Sequence, residues 1–408
     1  MKKTILFVFF IGMLHGMLFA QEAPKIDVKF SGFVKTDLIW DSRQTVSVRE
    51  GHFLLYPQPE VLDLDNEDIN AKSNFNILNV QTRMRMLATG PDVFGAKSSA
   101  FIEGAFFGSA ESNINTFRLR HAFVKLDWTN TELMVGQYWH PLFNTKSFPG
   151  TVSFNTGAPF QPFSRNPQVR LTQKFGDISL AVSAIDQRDF ASTGPMGTSS
   201  VYLRNTGYPA FNLRMQYYRK SDEGIQELLL GLSGNYKALT PRLQTTAGYK
   251  TKNTASSFSA GVFGKIKTEP LTVKAHGFYG GDAVNLTMIG GYAVSEITDN
   301  QKALVEYSPI NIVSSWLDIH TNGTTWQAGF FTGFSKNLGS NDKIVGDVYA
   351  RGSNIDYAWR NAYRLIYNNG KFRIAPEIEY TVAAYAKGEA INEYGEVTDS
   401  EEVGNFRF

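Results

Sequence analysis

Residues Phe117 to Gln173 constrain this chain more than any other stretch. Two runs that read as strands, Phe117 to Trp128 and Glu132 to His140, flank a tight Thr129-Asn130-Thr131 connection. A 26-residue loop rich in Pro, Gly, Phe and Asn follows, from Pro141 to Asn166, and then Pro167 to Phe175 alternates cleanly. A compact soluble domain rarely holds a structureless loop of that length. A transmembrane β-barrel accommodates it, because one rim carries short turns and the other long loops.

The alternation runs through the chain. In the first run, Val28, Phe30, Val34, Leu38 and Trp40 share a face against Lys29, Ser31, Lys35 and Asp37. Further on, Leu78, Val80, Met84 and Met86 oppose Asn79, Gln81, Arg83 and Arg85; Phe258, Ala260 and Val262 oppose Ser257, Ser259 and Lys265. Period-two runs of this kind mark strands with one apolar and one polar face. Phe117 to Trp128 breaks parity, with Arg118 and Arg120 on one side and Lys125 and Asp127 on the other. A β-bulge near Ala122, or a strand extending beyond the membrane, accounts for this. The count reaches about sixteen strands, with Trp326 to Lys336 and Lys343 to Arg351 among the last and Asp282 to Thr324 left as the longest insertion. Short connections fall at Gly90, Thr129, Gly176, Ser221, Glu269, Asn337 and Gly370, and longer ones generally lie between them; those near Ser109 and Gly352 are short where long ones are expected. Asn369-Gly370 is the strongest hairpin signal. The expected fold is all-β: a closed antiparallel transmembrane barrel spanning 21–408, with short periplasmic turns and long extracellular loops. An open sheet would leave backbone groups unpaired in hydrocarbon.

Residues 1–20 read as a secretory signal: Lys2 and Lys3, an apolar run from Ile5 to Leu18, and a small-residue exit at Ala20. The 40 basic residues then fall to 38, equal to the 38 acidic ones, and nothing points to nucleic acid. The chain has no cysteine, 31 Phe and 18 Tyr. High aromatic content suits a barrel with aromatic girdles and a polar interior.

A barrel of this size leaves an aqueous channel, so inward charges set what passes. Arg83, Arg85, Arg118, Arg120, Arg170, Arg360, Arg364 and Arg373 are candidates for a basic wall, and Asp37, Glu103, Glu377 and Glu379 for an acidic one. Inward charges could equally solvate the lumen or pair across strands. The loop at 141–166 is the candidate constriction. Its Phe148, Phe154, Phe160 and Phe163 need packing partners, and Arg165 lies at its end. Asp63, Asp65, Asn66, Asp68 and Asn70 crowd one loop, but the spacing lacks the glycine and terminal glutamate of a calcium loop. The histidines are scattered without a serine elbow, so no enzyme, metal or cofactor is expected.

With these residues in view, the chain resembles the DcaP-like porins of Gram-negative outer membranes and their Bacteroidota relatives. The likeness rests on RLRHAFVKL at Arg118 to Leu126, GQYWHP at Gly136 to Pro141, and FNTGAPFQPFSRNPQVRLTQ at Phe154 to Gln173. It implies a trimeric sixteen-stranded barrel with an infolded loop, passing small, often anionic, solutes. A terminal Phe408 is similar to the signal read by the barrel-assembly machinery. The family's periplasmic helical segment has no counterpart in the few residues between Gln21 and the first strand, and the Phe-rich loop departs from the family's pattern, so the family's solute preference is not carried over to this chain. The expected function is passive diffusion of small polar solutes with a weak anion preference. The alternative is a surface adhesin or receptor with a plugged lumen and ligand-binding loops.

Overall fold

In a computed structural model, residues 26–108 and 111–408 are described, so the expected signal at 1–20 lies outside the described residues. The chain is all-β. Among the described residues there are twenty-five strand segments, of which twenty-one join one sheet, and every pairing in it is antiparallel. Helix among the described residues is limited to the single turn Val201–Arg204 and two 3-10 turns.

Alternation builds the sheet. In Ala255–Lys267 the residues Ser257, Ser259 and Phe263 are buried, while Phe258, Ala260 and Val262 are exposed. The exposed face is apolar across the sheet: Val28, Phe30, Val169, Leu171, Leu213, Leu230, Leu232 and Phe258 all lie open. The opposite face buries Arg120, Arg170, Asn212, Ser233, Arg360 and Thr381. This arrangement is inside out relative to a water-soluble sheet, whose buried face is the apolar one. Short turns join the strands on one rim. At one of them Gly370 takes a φ of 57°, which lets Phe372–Ile374 fold back on Ile355–Asn369.

Three expectations are corrected. The first run is two segments, Asp27–Phe33 and Asp37–Asp41, which pair with Arg83–Thr89 and Asn74–Leu78 in turn. The Asp282 to Thr324 insertion contains Gly290–Asp299 and the 18-residue strand Leu304–Thr321. Lys343 to Arg351 shrinks to Val348–Arg351, which pairs with Gly290–Asp299. The short turn therefore falls at 322–325, not at Asn337, and Gly352 belongs to a long connection between Trp326–Ser340 and Ile355–Asn369. Leu304–Thr321 escapes the alternation rule because it is apolar on both faces: Val313 and Leu317 point outward, while Ile310, Ile312 and Trp316 are buried.

The last strand meets the first. Ser400–Arg407 pairs with Asp37–Asp41 at Arg407 and Asp41. Trp40 N donates to Phe408 O at 3.0 Å, Phe408 N to Trp40 O at 2.9 Å, and Ser42 N to Phe406 O at 2.9 Å.

The polar inner face is covered by chain from three places: the hairpin Thr45–Val48 with Phe53–Pro57, the loop between Trp139 and Arg165, and the segment around Val284–Leu286. Phe53, Leu55, Leu142, Phe154, Phe160, Phe163 and Leu286 join Ile312, Trp316, Phe331 and Ala358 of the sheet in one apolar cluster. Burial of a large apolar side chain is worth about 1.5–3 kcal/mol, so this cluster fixes the loops against the sheet.

Candidate functional site

The charged side chains of the inner face form hubs, each built on one carboxylate. The first is Glu103. It accepts from Arg120 Nε at 2.6 Å and Arg85 Nε at 2.5 Å, with Arg83 at 3.9 Å and His121 at 3.8 Å. A register shift makes this possible. Glu103 faces His121 while Gly104 faces Leu119, so Arg120 is the extra residue of a bulge. The bulge lies two residues before Ala122 and resets parity. Arg118, Arg120 and Lys125 consequently all turn away from the exposed side chains Leu119 and Val124.

The second hub is Asp189, on the loop after Ile178–Ile185. Arg118 pairs with its Oδ1, and Arg165 donates to Oδ2 from Nε at 2.7 Å and lies at 2.6 Å through Nη2. Burial alone would raise the Asp189 carboxyl. Arg165, Arg118 and Arg49 outweigh it and hold the group well below the usual carboxylate range. Arg165 belongs to the strand Arg165–Phe175 rather than to the loop, and its guanidinium lies 5.3 Å from the Trp139 ring and 5.6 Å from that of Phe163.

Across the sheet, Asp318 takes Arg364 at 2.8 Å, with Lys274 at 3.9 Å, and accepts Gly150 N at 3.1 Å. Glu377 accepts Val152 N at 2.8 Å and Ser153 N at 2.7 Å. Arg360 is fully buried and reaches three places: Thr381 Oγ1 at 2.7 Å, Ala158 O at 2.9 Å and Leu55 O at 3.0 Å. One arginine thus ties the wall to both the loop and the hairpin. Asp37 pairs with Lys35 at 2.7 Å and meets His52 of the hairpin at 3.3 Å. Arg170 folds onto Gln168 Oε1 at 2.6 Å and Trp139 O at 2.8 Å. Glu379 is buried with no hydrogen-bond partner on either oxygen.

Arg373 stands apart. It is exposed beside the Gly370 turn and donates to Asn368 Oδ1 at 2.8 Å. Among the loop aromatics, Phe154, Phe160 and Phe163 are buried, whereas Phe148 is exposed, 5.6 Å from the Phe143 ring. Phe408 packs 5.5 Å from Trp40, where the first and last strands meet. In the acidic loop, Asp63 Oδ1 accepts Asp65 N and Glu67 N, while Asp68 accepts Val61 N and Asn70 N and pairs with Arg43. Those oxygens are spent on the loop's own backbone and a neighbouring arginine.

Several partners carry no sequence signal. Asp189 lies in the loop after Ile178–Ile185 and Asp318 in a largely apolar strand, neither on an alternating run, yet each holds two basic groups. Asp41 pairs with Arg407, 366 residues away, at 2.6 Å. Lys237 is buried against Asp282 at 2.8 Å and Asn285 at 2.6 Å. What the arrangement can do is hold fixed charges of both signs, pre-oriented by one another, along an interior surface.

No protein-family model and no curated protein matches the sequence. Solved structures do. The outer membrane channel DcaP of Acinetobacter baumannii is similar at a TM-score of 0.66 and 17% identity, covering 95% of this chain and 96% of that one. In-vitro folded OmpT, an outer membrane protein of Vibrio cholerae, is similar at 0.51 and 10%, covering 96% and 98%. Its trimer form is similar at 0.50 and 9%, covering 95% and 98%. Nearly the whole of each chain is matched, so the likeness is one of complete architecture, and this chain has the fold of an outer-membrane porin.

Proposed function

We propose that the chain is a porin-type channel of a Gram-negative outer membrane, passing small polar solutes by diffusion with a weak preference for anions. One observation carries this reading: an exposed apolar face and a buried, charged inner face on a sheet whose first and last strands hydrogen-bond to each other. In water such an outer face would be unstable; in a bilayer it is the required one.

The proposed barrel is closed and has sixteen strands. Three interrupted strands support that count when each is taken once: Asp27–Phe33 with Asp37–Asp41, Asn74–Leu78 with Arg83–Thr89, and Phe372–Ile374 with Glu377–Ala386. Gly290–Asp299 and Val348–Arg351 pair with each other and form a ribbon on the long-loop side. The short turns would be periplasmic and the long loops extracellular. The chain enters the periplasm through a signal at 1–20, and Phe408 serves the barrel-assembly machinery. The loop at 141–166 acts as the constriction, supported by its bonds to Asp318, Glu377 and Arg360. A homotrimer embedded in outer-membrane lipid is proposed by analogy with the trimer form of the Vibrio protein. The channel is not an enzyme, and it works without a cofactor. The surface-receptor alternative is not favoured, since the structure similar at 0.66 is itself a channel.

Single-channel recording of the refolded protein in a planar bilayer tests the proposal. Discrete steps, in groups of three for a trimer, are expected. A protein with β circular dichroism that stays silent would overturn it. The anion preference is tested by the reversal potential under a salt gradient, where a cation-selective sign would overturn it.

A further inference from the structure

The outer wall changes character at the first strand, where the pairing stops midway. Asp27–Phe33 pairs with Arg83–Thr89 as far as Phe33 and Arg83, and Asp37–Asp41 resumes with Asn74–Leu78 at Asp37 and Leu78. Between the two stretches, residues 34–36 stand against residues 79–82. The longer side closes a tight turn, with Thr82 N donating to Asn79 O at 3.1 Å.

This break exposes polar groups. Asp37 turns inward to His52, so its neighbours Thr36 and Leu38 turn outward. Thr36 Oγ1 donates to Asn79 Oδ1 at 2.6 Å, and both residues are exposed. Along the wall Val34 lies on one side of this pair and Leu38 and Ile77 on the other, all exposed. The hydroxyl, the amide and the interrupted ladder therefore sit inside the apolar band, where hydrocarbon offers them no partner.

The loop above the same strands has the opposite fault. Residues 59–73 lead into Asn74–Leu78 and fold into a small hairpin. Leu62 bridges to Asp68, Asp63 N donates to Glu67 O at 3.0 Å, and Ile69 N donates to Val61 O at 3.0 Å. Arg43, just beyond Asp37–Asp41, holds the hairpin through Asp68 at 2.9 Å, and Gln44 N donates to Asn70 O at 2.9 Å. The anchored tip presents Val61, Leu62, Leu64 and Ile69 to solvent, Leu64 completely. A cluster of exposed apolar side chains on the aqueous side of the wall marks a site of protein contact.

Lipid fits neither half of this face. It leaves the polar break without partners, and it does not reach the loop tip. Protein fits both. The break belongs to the wall itself, so its cover has to accompany every barrel in the membrane, and a second copy of the chain meets that condition. We infer that the outer face of residues 27–41 and 74–79, together with the loop tip at 61–69, is the contact surface for a second copy of this chain. The inference rests on the homotrimer reading and names the wall through which the trimer forms. A closed ring of three makes a heterologous contact, so this face meets a different part of the neighbour's outer wall. The neighbour supplies hydrogen-bonding groups to Thr36 and Asn79 and an apolar seat for Leu64.

The test is the mass of the refolded full chain in detergent micelles, where a trimer is expected. Val34 is 83% exposed. An indole there is at home against lipid but obstructs a packed interface. Val34→Trp should therefore lower the trimer fraction severalfold with β circular dichroism retained. Val262→Trp, on the exposed face of Ala255–Lys267, should leave that fraction as it is. Leu64→Glu should lower it as Val34→Trp does. Equal trimer fractions in Val34→Trp and Val262→Trp, or an unchanged fraction in Leu64→Glu, overturn the interface and leave the trimer reading standing. A full chain that is monomeric yet conducts in single steps overturns the interface and the trimer, and leaves the channel reading standing. If Val34→Trp does not refold, Leu64→Cys decides, because the chain has no other cysteine. It should react with a hydrophilic maleimide severalfold more slowly than Met196→Cys, on another exposed loop, and equal rates overturn the interface.

Discussion

Strands Ala255–Lys267 and Leu304–Thr321 share one sheet and one hydrogen-bonding scheme, yet they read in opposite ways. The first alternates from Ala255 to Phe263, with Ser257 and Ser259 inward and Phe258, Ala260 and Val262 outward. The second is apolar on both faces through its middle. The difference lies in what each inner face touches. Ser257 and Ser259 sit among polar groups of the wall, whereas Ile312 and Trp316 belong to the cluster that holds Phe160 and Phe163 of the crossing loop. Trp316 donates its indole N–H to Gln161, and Ser314 Oγ donates to Phe160 O at 3.1 Å. Alternation is therefore a record of lumen contents as much as of strand geometry: it persists where the inner face is wet or polar and fades where chain packs on it.

That contrast can be broken first at Trp316. Trp316→Ala removes a buried aromatic stacked on His276 and should cost about 3–5 kcal/mol. Denaturant unfolding of the refolded protein measures it. An unchanged midpoint would mean the loop does not lean on this strand. The next effect belongs to the alternating strand. Val262→Arg on its exposed face should cost about 2–4 kcal/mol if that face meets the bilayer midplane. Ser259→Ala, one turn of the pleat away and inward, should change little. Equal costs at the two sites would remove the distinction between faces.

Smaller effects sharpen the electrical side. Replacing Arg118 and Arg120 with Gln leaves Asp189 with Arg165, and Glu103 with Arg85, so the fold should hold while the reversal potential moves toward cations. A shift toward anions, or none, would remove those two residues from the selectivity wall. The smallest effect is at Arg373. Exposed beside the turn and bonded to Asn368, it should leave both stability and selectivity unaltered on change to Gln. A surface hydrogen bond of this kind contributes within about 0.5 kcal/mol.

Much of the fold was legible because a strand's two faces are set by neighbours in sequence. The parity of Arg83 with Arg85 put both on one side, where the structure has them beside Glu103, and of the two accounts of the mixed parity of Phe117 to Trp128 the structure shows the bulge, at Arg120. Leu304–Thr321 was hidden because its inner face is apolar, and Lys343 to Arg351 was overread because only its last four residues, Val348–Arg351, pair, and they pair with Gly290–Asp299.

The sequence by itself determined the class of the chain: repeated two-residue periodicity, short turns at Gly176 and Gly370, and an apolar face too extensive for water. Each of these is local, fixed by residues within a few positions of one another. Tertiary structure alone decided the partners of the charges and the contents of the interior. Asp41 with Arg407, Asp318 with Arg364, and Arg360 with both the loop and the hairpin are contacts over tens to hundreds of residues, and their geometry exists only once the first and last strands meet. Coulomb attraction and apolar packing act through space and leave no periodic trace along the chain.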